Sequence, residues 1–294
     1  MKTMHLIINP NAGTRQGRRF LPEMVSVFSG ADYLCAVFVT EKQGQAVDFC
    51  REHGGEADLV VACGGDGTLN EVITGLQLGK HRTPVGYVPC GSTNDFALGL
   101  GLPTAPLLAC KAIVSGTSHP LDLGRFSTNR FFTYTASFGA FTSVSWSTPQ
   151  NIKNILGHVA YILEGIRSLA DIRPIHMKIT ADSLVEENDF IFGAVCNSTS
   201  LGGVLKLDDS QVHMGDGLFE ALLIPFPEDL LVLNRILTAL RFQNYEDPTL
   251  LFLRSSSFVF ESEPHIKWTL DGESASAGSV TKIRNIHNAI EIMY

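Results

Sequence analysis

The stretch Ala62–Val72, ACGGDGTLNEV, sets three glycines and an aspartate between an apolar run and a run with helical spacing. Upstream, Ala57 to Cys63 reads as a strand; downstream, Leu69, Val72, Ile73 and Leu76 share one helical face. The glycines therefore sit where a strand turns into a helix. Unpaired backbone N–H groups and the helix dipole favour an anion there, and glycine lets it approach the chain closely. The expectation is a phosphate site.

Two common phosphate loops are excluded. There is no GxxxxGK[ST], and Gly65 and Gly67 are followed by Asn70 where a dinucleotide fingerprint needs its third glycine. What remains is Gly64, Gly65 and Gly67 around Asp66, with Thr68 expected as the helix N-cap or, through its hydroxyl, as a phosphate contact. A carboxylate beside a polyphosphate is repulsive unless a cation lies between them, so Asp66 points to Mg²⁺ held through water. A tight turn capped locally by Asp66 is the plainer alternative.

Outward from this stretch, residues Met4 to about Gly116 alternate β-rich and helical runs: MHLII, Arg18–Phe28, CAVFVT, Gln45–His53, DLVVAC, Leu69–Leu78, PVGYVP and Leu107–Val114. This βαβα order specifies a parallel sheet covered by helices, whose ligands bind at the carboxyl ends of the strands. Two further turns rich in glycine and asparagine fall at that end, Asn9–Gly13 (NPNAG) and Cys90–Ala97 (CGSTNDFA), with Thr40 closing a third strand. Either turn alone is an ordinary loop; three in one α/β domain converge on one sheet edge.

Beyond Asp122 the pattern changes to half-buried antiparallel strands: Ile175, Met177 and Ile179 alternate with polar residues, as do Ile266, Trp268 and Leu270. Phe190–Val195, Leu218–Phe226 and Ser257–Phe260 add strands, and Ile152 to Leu169 reads as one long amphipathic helix. The predicted fold class is α/β plus all-β, a parallel N-terminal α/β domain followed by a β-sandwich-like domain. With no clear linker, a packed interface with a cleft is expected.

Composition limits the function classes. A chain of 294 residues with 45% hydrophobic content can bury two cores, and a net charge of −8 opposes a general nucleic-acid surface or a polybasic anchor. Six cysteines without CxxC spacing read as buried reduced thiols, which fits a cytoplasmic protein. No apolar run nears the roughly 18 residues of a membrane span, so any membrane contact is peripheral and transient.

Together the motifs resemble those of the diacylglycerol kinase catalytic-domain family of soluble bacterial lipid kinases, related to sphingosine kinases. The resemblance spans the chain: NPNAG, GGDGTLNEV, GSTNDFA, LDLG (Leu121–Gly124), GHVAYILEGIRSL (Gly157–Leu169), GDGLFE (Gly215–Glu220) and DGE (Asp271–Glu273). GGDGT alone is shared with NAD kinases and phosphofructokinases; the ordered set is more specific. The resemblance implies an ATP site built from Asn9, Pro10, Asn11, Ala12, Gly13, Thr40, Gly64 to Glu71 (with Leu69 and Asn70), Ser92 and Asn94. It also implies catalytic carboxylates at Asp271 and Glu273 beside Asp66, and a C-terminal strand that returns to the first domain, giving domains of 1–122 plus 287–294 and 123–286.

The implied reaction is phosphorylation of a lipid hydroxyl by Mg-ATP at a membrane surface, most directly diacylglycerol to phosphatidic acid. Kinases of soluble substrates such as NAD or a sugar phosphate, and a non-catalytic nucleotide- or lipid-binding relative, are the alternatives. Asp-Gly at 271–272 is also the commonest hairpin signal, but the ESASAGS that follows does not read as an immediately alternating strand, which favours the catalytic reading. The family's second, structural metal site falls at Asp216 and the Leu218 carbonyl, yet Gly215 stands where an acidic partner is common, and Asp208 and Asp209 lie further upstream. Leu98 replaces the basic residue that often follows NDFA, leaving Arg15, Arg18 and Arg19 as candidates for phosphate or headgroup contacts. Oligomeric state is open, a homodimer included.

Overall fold

The computed structural model describes residues 1–13, 15–139, 173–197, 200–201, 205–206, 214–263 and 266–294. The expected helix Ile152–Leu169 and the pair Asp208, Asp209 lie outside the described residues. The chain forms two compact units, Met1–Leu123 with His287–Tyr294, and Gly124–Ile286.

In the first unit, apolar runs without breakers form β1 (Lys2–Ile8), β2 (Tyr33–Val39), β3 (Leu59–Gly64) and β4 (Val85–Pro89), all parallel. β1 lies between β2 and β3, and β4 pairs the other side of β3. The buried strand β3, with no exposed residue, explains its unbroken apolar reading. Helices α1 (Gln16–Arg19), α2 (Leu21–Gly30), α3 (Gln45–His53), α4 (Asp66–Gly79), α5 (Asp95–Gly99) and α6 (Pro106–Ser115) cover it. The run expected as one helix from Arg18 to Phe28 is instead broken at Phe20, because Pro22 fits only the first turn of a new helix. One core packs Met4, Leu6, Ile8, Met24, Phe28, Val61, Cys63, Val88, Cys110 and Ile113.

The second unit is antiparallel. β5 (Ser118–Phe126) reaches it at Gly124, and β6 (Arg130–Phe132) pairs back on β5. It continues with β7 (Thr135–Gly139), β8 (Ile175–Ala181), β9 (Leu184–Cys196), the short β10 (Ser200–Leu201) and β11 (Leu205–Lys206), β12 (Phe219–Pro225), α7 (Leu230–Arg241), β13 (Leu251–Ser255), β14 (Ser257–Ser262), β15 (Lys267–Leu270), β16 (Glu273–Ser276) and β17 (Val280–Met293). Strand β9 is the hub: its first half pairs β8, and its second half lies between β7 and β12. Alternating inward residues close over an aromatic core of Phe126, Phe132, Phe138, Phe219, Phe258, Phe260 and Trp268. This bears out the α/β plus all-β fold class. The last residues of β17, Ile292 and Met293, pair in parallel with Val85 and Gly86 of β4.

No helix among the described residues is long and apolar enough to cross a membrane.

Candidate functional site

At the carboxyl ends of β1, β3 and β4 three loops are laced together by backbone contact. A Cβ on Gly91 would lie 2.6 Å from the Gly65 Cα, and one on Gly13 would lie 2.5 Å from the Cys90 carbonyl oxygen. Gly13 also holds φ 48°, so both space and backbone demand glycine there. NPNAG, GGDGT and GSTND therefore meet only because side chains are missing at their crossings. Asn9 fastens the first loop: its N–H donates to Cys63 O (3.0 Å), its amide to Thr68 Oγ1 (3.4 Å), and its carbonyl accepts from Asn11 N (3.0 Å). Thr40 ends β2 by donating from N (2.9 Å) and Oγ1 (3.3 Å) to Ile8 O. Glu71 on α4 accepts from Gly44 N (2.8 Å), which holds the loop after β2.

Asp66 is the node of this arrangement. It is buried, and one oxygen accepts from Phe96 N (3.2 Å) and the Tyr87 hydroxyl (3.3 Å), the other from Asp95 N (3.0 Å) and the Thr93 hydroxyl (3.5 Å). The first residue of α4 thus caps α5, some 30 positions along the chain. Burial pushes its carboxyl above the ordinary value, and the amides of Asp95 and Phe96 and the two hydroxyls pull it back. Thr68, expected as the N-cap of α4, is instead inside the first turn; the cap position is Gly65, and Thr68 N donates to Gly65 O at 3.0 Å. With the helix starting at Asp66, the buried Thr68 hydroxyl is left to meet Asn9.

Asn94 adopts φ 55° and clamps its own turn, accepting from Gly91 N (2.8 Å) and donating to Gly91 O (3.2 Å). Ser92 is exposed on that turn; Arg15, Arg18 and Arg19, at and within α1, are exposed too, the last lying over the Phe20 ring. Tyr87 was not singled out by sequence, since PVGYVP reads only as a buried strand. Its hydroxyl lies 3.3 Å from both Asp66 and Asn94, so it braces two loops from beneath. Tyr87→Phe keeps the ring on Phe96 but removes this donor, and chemical unfolding should show a loss of about 0.5–1.5 kcal/mol. Asp122 was likewise missed: a carboxylate between Leu121 and Leu123, it is buried and accepts from Asn288 N (2.8 Å) and His287 Nδ1 (2.9 Å). An acid flanked by core leucines within a strand was the available signal.

In the second unit Leu270 and Glu273 are paired across β15 and β16, which makes Asp271-Gly272 a two-residue hairpin loop with φ 47° and 84°. Glu273–Ser276 is a strand after all, so the reading of ESASAGS as non-strand is corrected: its small residues still pair with β15. The turn does not exhaust Asp271. Its carboxylate is buried and accepts from Thr133 N (2.6 Å), Thr133 Oγ1 (2.8 Å), Tyr134 N (3.0 Å) and Thr135 N (3.0 Å). Burial raises its pKa, while these donors oppose the rise. Glu273 is half-buried two residues on.

Among the described residues no group of three or more His, Cys, Asp or Glu side chains is placed to hold a metal. At the expected second metal site, Asp216 accepts from Leu218 N (2.9 Å) and pairs with Arg254, and Leu218 O accepts from the Asn285 amide (3.2 Å). Arg254 Nε also donates to Glu220 at 3.2 Å, and burial pushes the Glu220 carboxyl up to about 7 against the pull of that arginine. These residues do not fit a bound cation: both Asp216 oxygens and the Leu218 carbonyl already face N–H donors.

Residues 3–126 match the diacylglycerol kinase catalytic domain. The chain is 31% identical over 277 residues to a diacylglycerol kinase of Bacillus subtilis, covering 93% of this chain and 90% of that protein. It is also 31% identical over 274 residues to one of Staphylococcus epidermidis, covering 92% and 86%. Among solved structures, a putative diacylglycerol kinase from Bacillus anthracis superimposes with a TM-score of 0.83 at 24% identity, over 100% of this chain and 97% of that one, and so shares the fold. With its laced loops, its buried Asp66 and relatives matched over nearly their whole length, this chain belongs to the diacylglycerol kinase catalytic-domain family.

Proposed function

We propose that this protein is an ATP-dependent lipid kinase that phosphorylates diacylglycerol to phosphatidic acid. The observation that carries the reading is the knot of three strand-end loops around Asp66, which leaves backbone rather than side chains at the surface where a phosphate chain would lie. The N-terminus of α4, which no side chain caps, presents the positive end of a helix dipole to the nucleotide phosphates. Asn9 to Gly13, Thr40 and Ser92 border the same strand ends. Magnesium arrives as part of the Mg-ATP substrate. Asp66 would meet it through water, since its own oxygens are taken up by four donors.

In this proposal the primary hydroxyl of the lipid attacks the γ-phosphorus, its proton passes to Asp271, and ADP leaves with the bridging oxygen. Burial makes Asp271 a stronger base than a solvated aspartate, and three backbone amides fix its orientation. Unlike the three backbone amides, the Thr133 hydroxyl can rotate away and free a lone pair for the incoming proton. Glu273 adds a second negative charge beside that position.

The test is transfer of labelled γ-phosphate from Mg-ATP to diacylglycerol in mixed micelles. Label in phosphatidic acid, absent in Asp66→Ala and Asp271→Asn proteins, is the expected result. Label transferred instead to NAD or a sugar phosphate would replace this reading with a soluble-substrate kinase.

A further inference from the structure

We infer that Arg254 is a built-in counter-ion for the Asp216–Glu220 turn, taking the place of the divalent cation that the family resemblance implies there, so that the second unit is stable without a bound metal. Strand register sets the geometry. Glu220 on β12 lies directly opposite Arg254 on β13, so the pairing of these strands fixes the guanidinium beside the turn that precedes β12.

One guanidinium then spans two acids through different nitrogens, Nε to Glu220 and Nη2 to Asp216. A rigid planar fork suits this task, because it offers several donors in fixed directions and never loses its charge. Asp216 and Leu218 are also met from within the chain. The second Asp216 oxygen accepts from Leu218 N, as in an Asx turn, and the Leu218 carbonyl accepts from Asn285 on β17. A divalent ion would have to displace the arginine and break the bonds from Leu218 and Asn285, while gaining ligands that are already satisfied. The Glu220 side chain is only 4% exposed, so the cation beside it offsets a charge that water reaches poorly.

The experiment is thermal unfolding of the whole protein, nucleotide-free, in EDTA and in millimolar Mg²⁺ or Ca²⁺, with elemental analysis of the purified protein. The wild type should unfold at the same temperature in EDTA and in either ion, and carry no stoichiometric divalent metal. Arg254→Met should unfold lower in EDTA by about 2–4 °C, a shift of the size one lost interaction gives in a unit this large. Added Mg²⁺ should restore part of that loss, because the ion can then enter between the carboxylates. Arg254→Lys, which keeps the charge but not the fork, should fall between the two and remains informative if the methionine protein does not fold. A wild-type unfolding temperature that rises saturably with Mg²⁺ or Ca²⁺, and no longer does so in Asp216→Asn, would overturn the inference. So would one tightly held divalent ion per chain that Asp216→Asn lacks. No substrate enters the measurement, so its outcome is independent of the kinase assay.

Discussion

Replacing Asp271 by asparagine should lower the turnover number at least about 10²-fold, the usual scale for loss of a positioned base. It should also destabilise the second unit. The carboxylate faces two donors from Thr133 and the amides of Tyr134 and Thr135; an asparagine keeps one acceptor oxygen and turns an NH₂ group toward the other pair. Buried donors left without an acceptor cost about 1–3 kcal/mol. Activity loss in this variant therefore mixes chemistry with folding, and two measurements separate them. Unfolding in urea reads the structural part, and the affinity for ATP, whose proposed loops belong to the other unit, should stay close to wild type. Glu273→Gln supplies the contrast, because Glu273 is half-buried where Asp271 is buried, and the substitution should destabilise the protein less than Asp271→Asn does. If Asp271→Asn is folded and turns over at a near-normal rate, the proton goes elsewhere and Asp271 is the anchor of its hairpin alone.

The second large effect is expected at Asp66. Asp66→Ala removes the acceptor of four hydrogen bonds that tie the GGDGT loop to the start of α5, and should cost about 2–3 kcal/mol together with at least a tenfold loss of ATP affinity. Calorimetric titration with Mg-ATP reads the second quantity without any lipid. Asp66→Asn adds a pH signature. Burial raises the folded-state pKa of the carboxyl, so its contribution to stability is complete below the unfolded value of about 3.9 and is lost as pH rises through the folded value. The amide does not titrate. The stability difference between wild type and Asp66→Asn should thus be greatest in acid and shrink toward neutrality. A constant difference across that range would show that the carboxyl is not perturbed by burial.

These two aspartates mark the boundary between what was legible in the sequence and what was not. Elements defined by local pattern were legible: Gln45–His53 is the helix its spacing specifies, Asp58 to Cys63 reads as the buried strand it largely is, and the alternation at Ile175–Ile179 is an antiparallel strand. Helical and strand periodicities are set by neighbours a few residues apart, so the chain carries them in plain order. The fold class followed from the order of those elements, as did the placing of the glycine-rich turns at strand ends.

Local pattern was insufficient where a residue's partner is remote. Thr68 had the chemistry of an N-cap, but the crossing of two loops set the helix start at Asp66 and gave its hydroxyl to Asn9. Asp271-Gly272 is a hairpin turn and a buried carboxylate at once, because the connection from β6 into β7 brings Thr133, Tyr134 and Thr135 to it from more than 130 residues away. Tyr87 and Arg254 carried no signal of their own; a tyrosine in an apolar strand and an arginine in an alternating one are ordinary until sheet register chooses what they face. The sequence by itself determined the α/β and antiparallel parts and the glycines at which backbone must meet backbone. Only the tertiary structure decided which donors the buried carboxylates of Asp66, Asp271 and Glu220 would find. A charge taken out of water is stabilised by the particular N–H and O–H groups around it, and those groups come from distant strands.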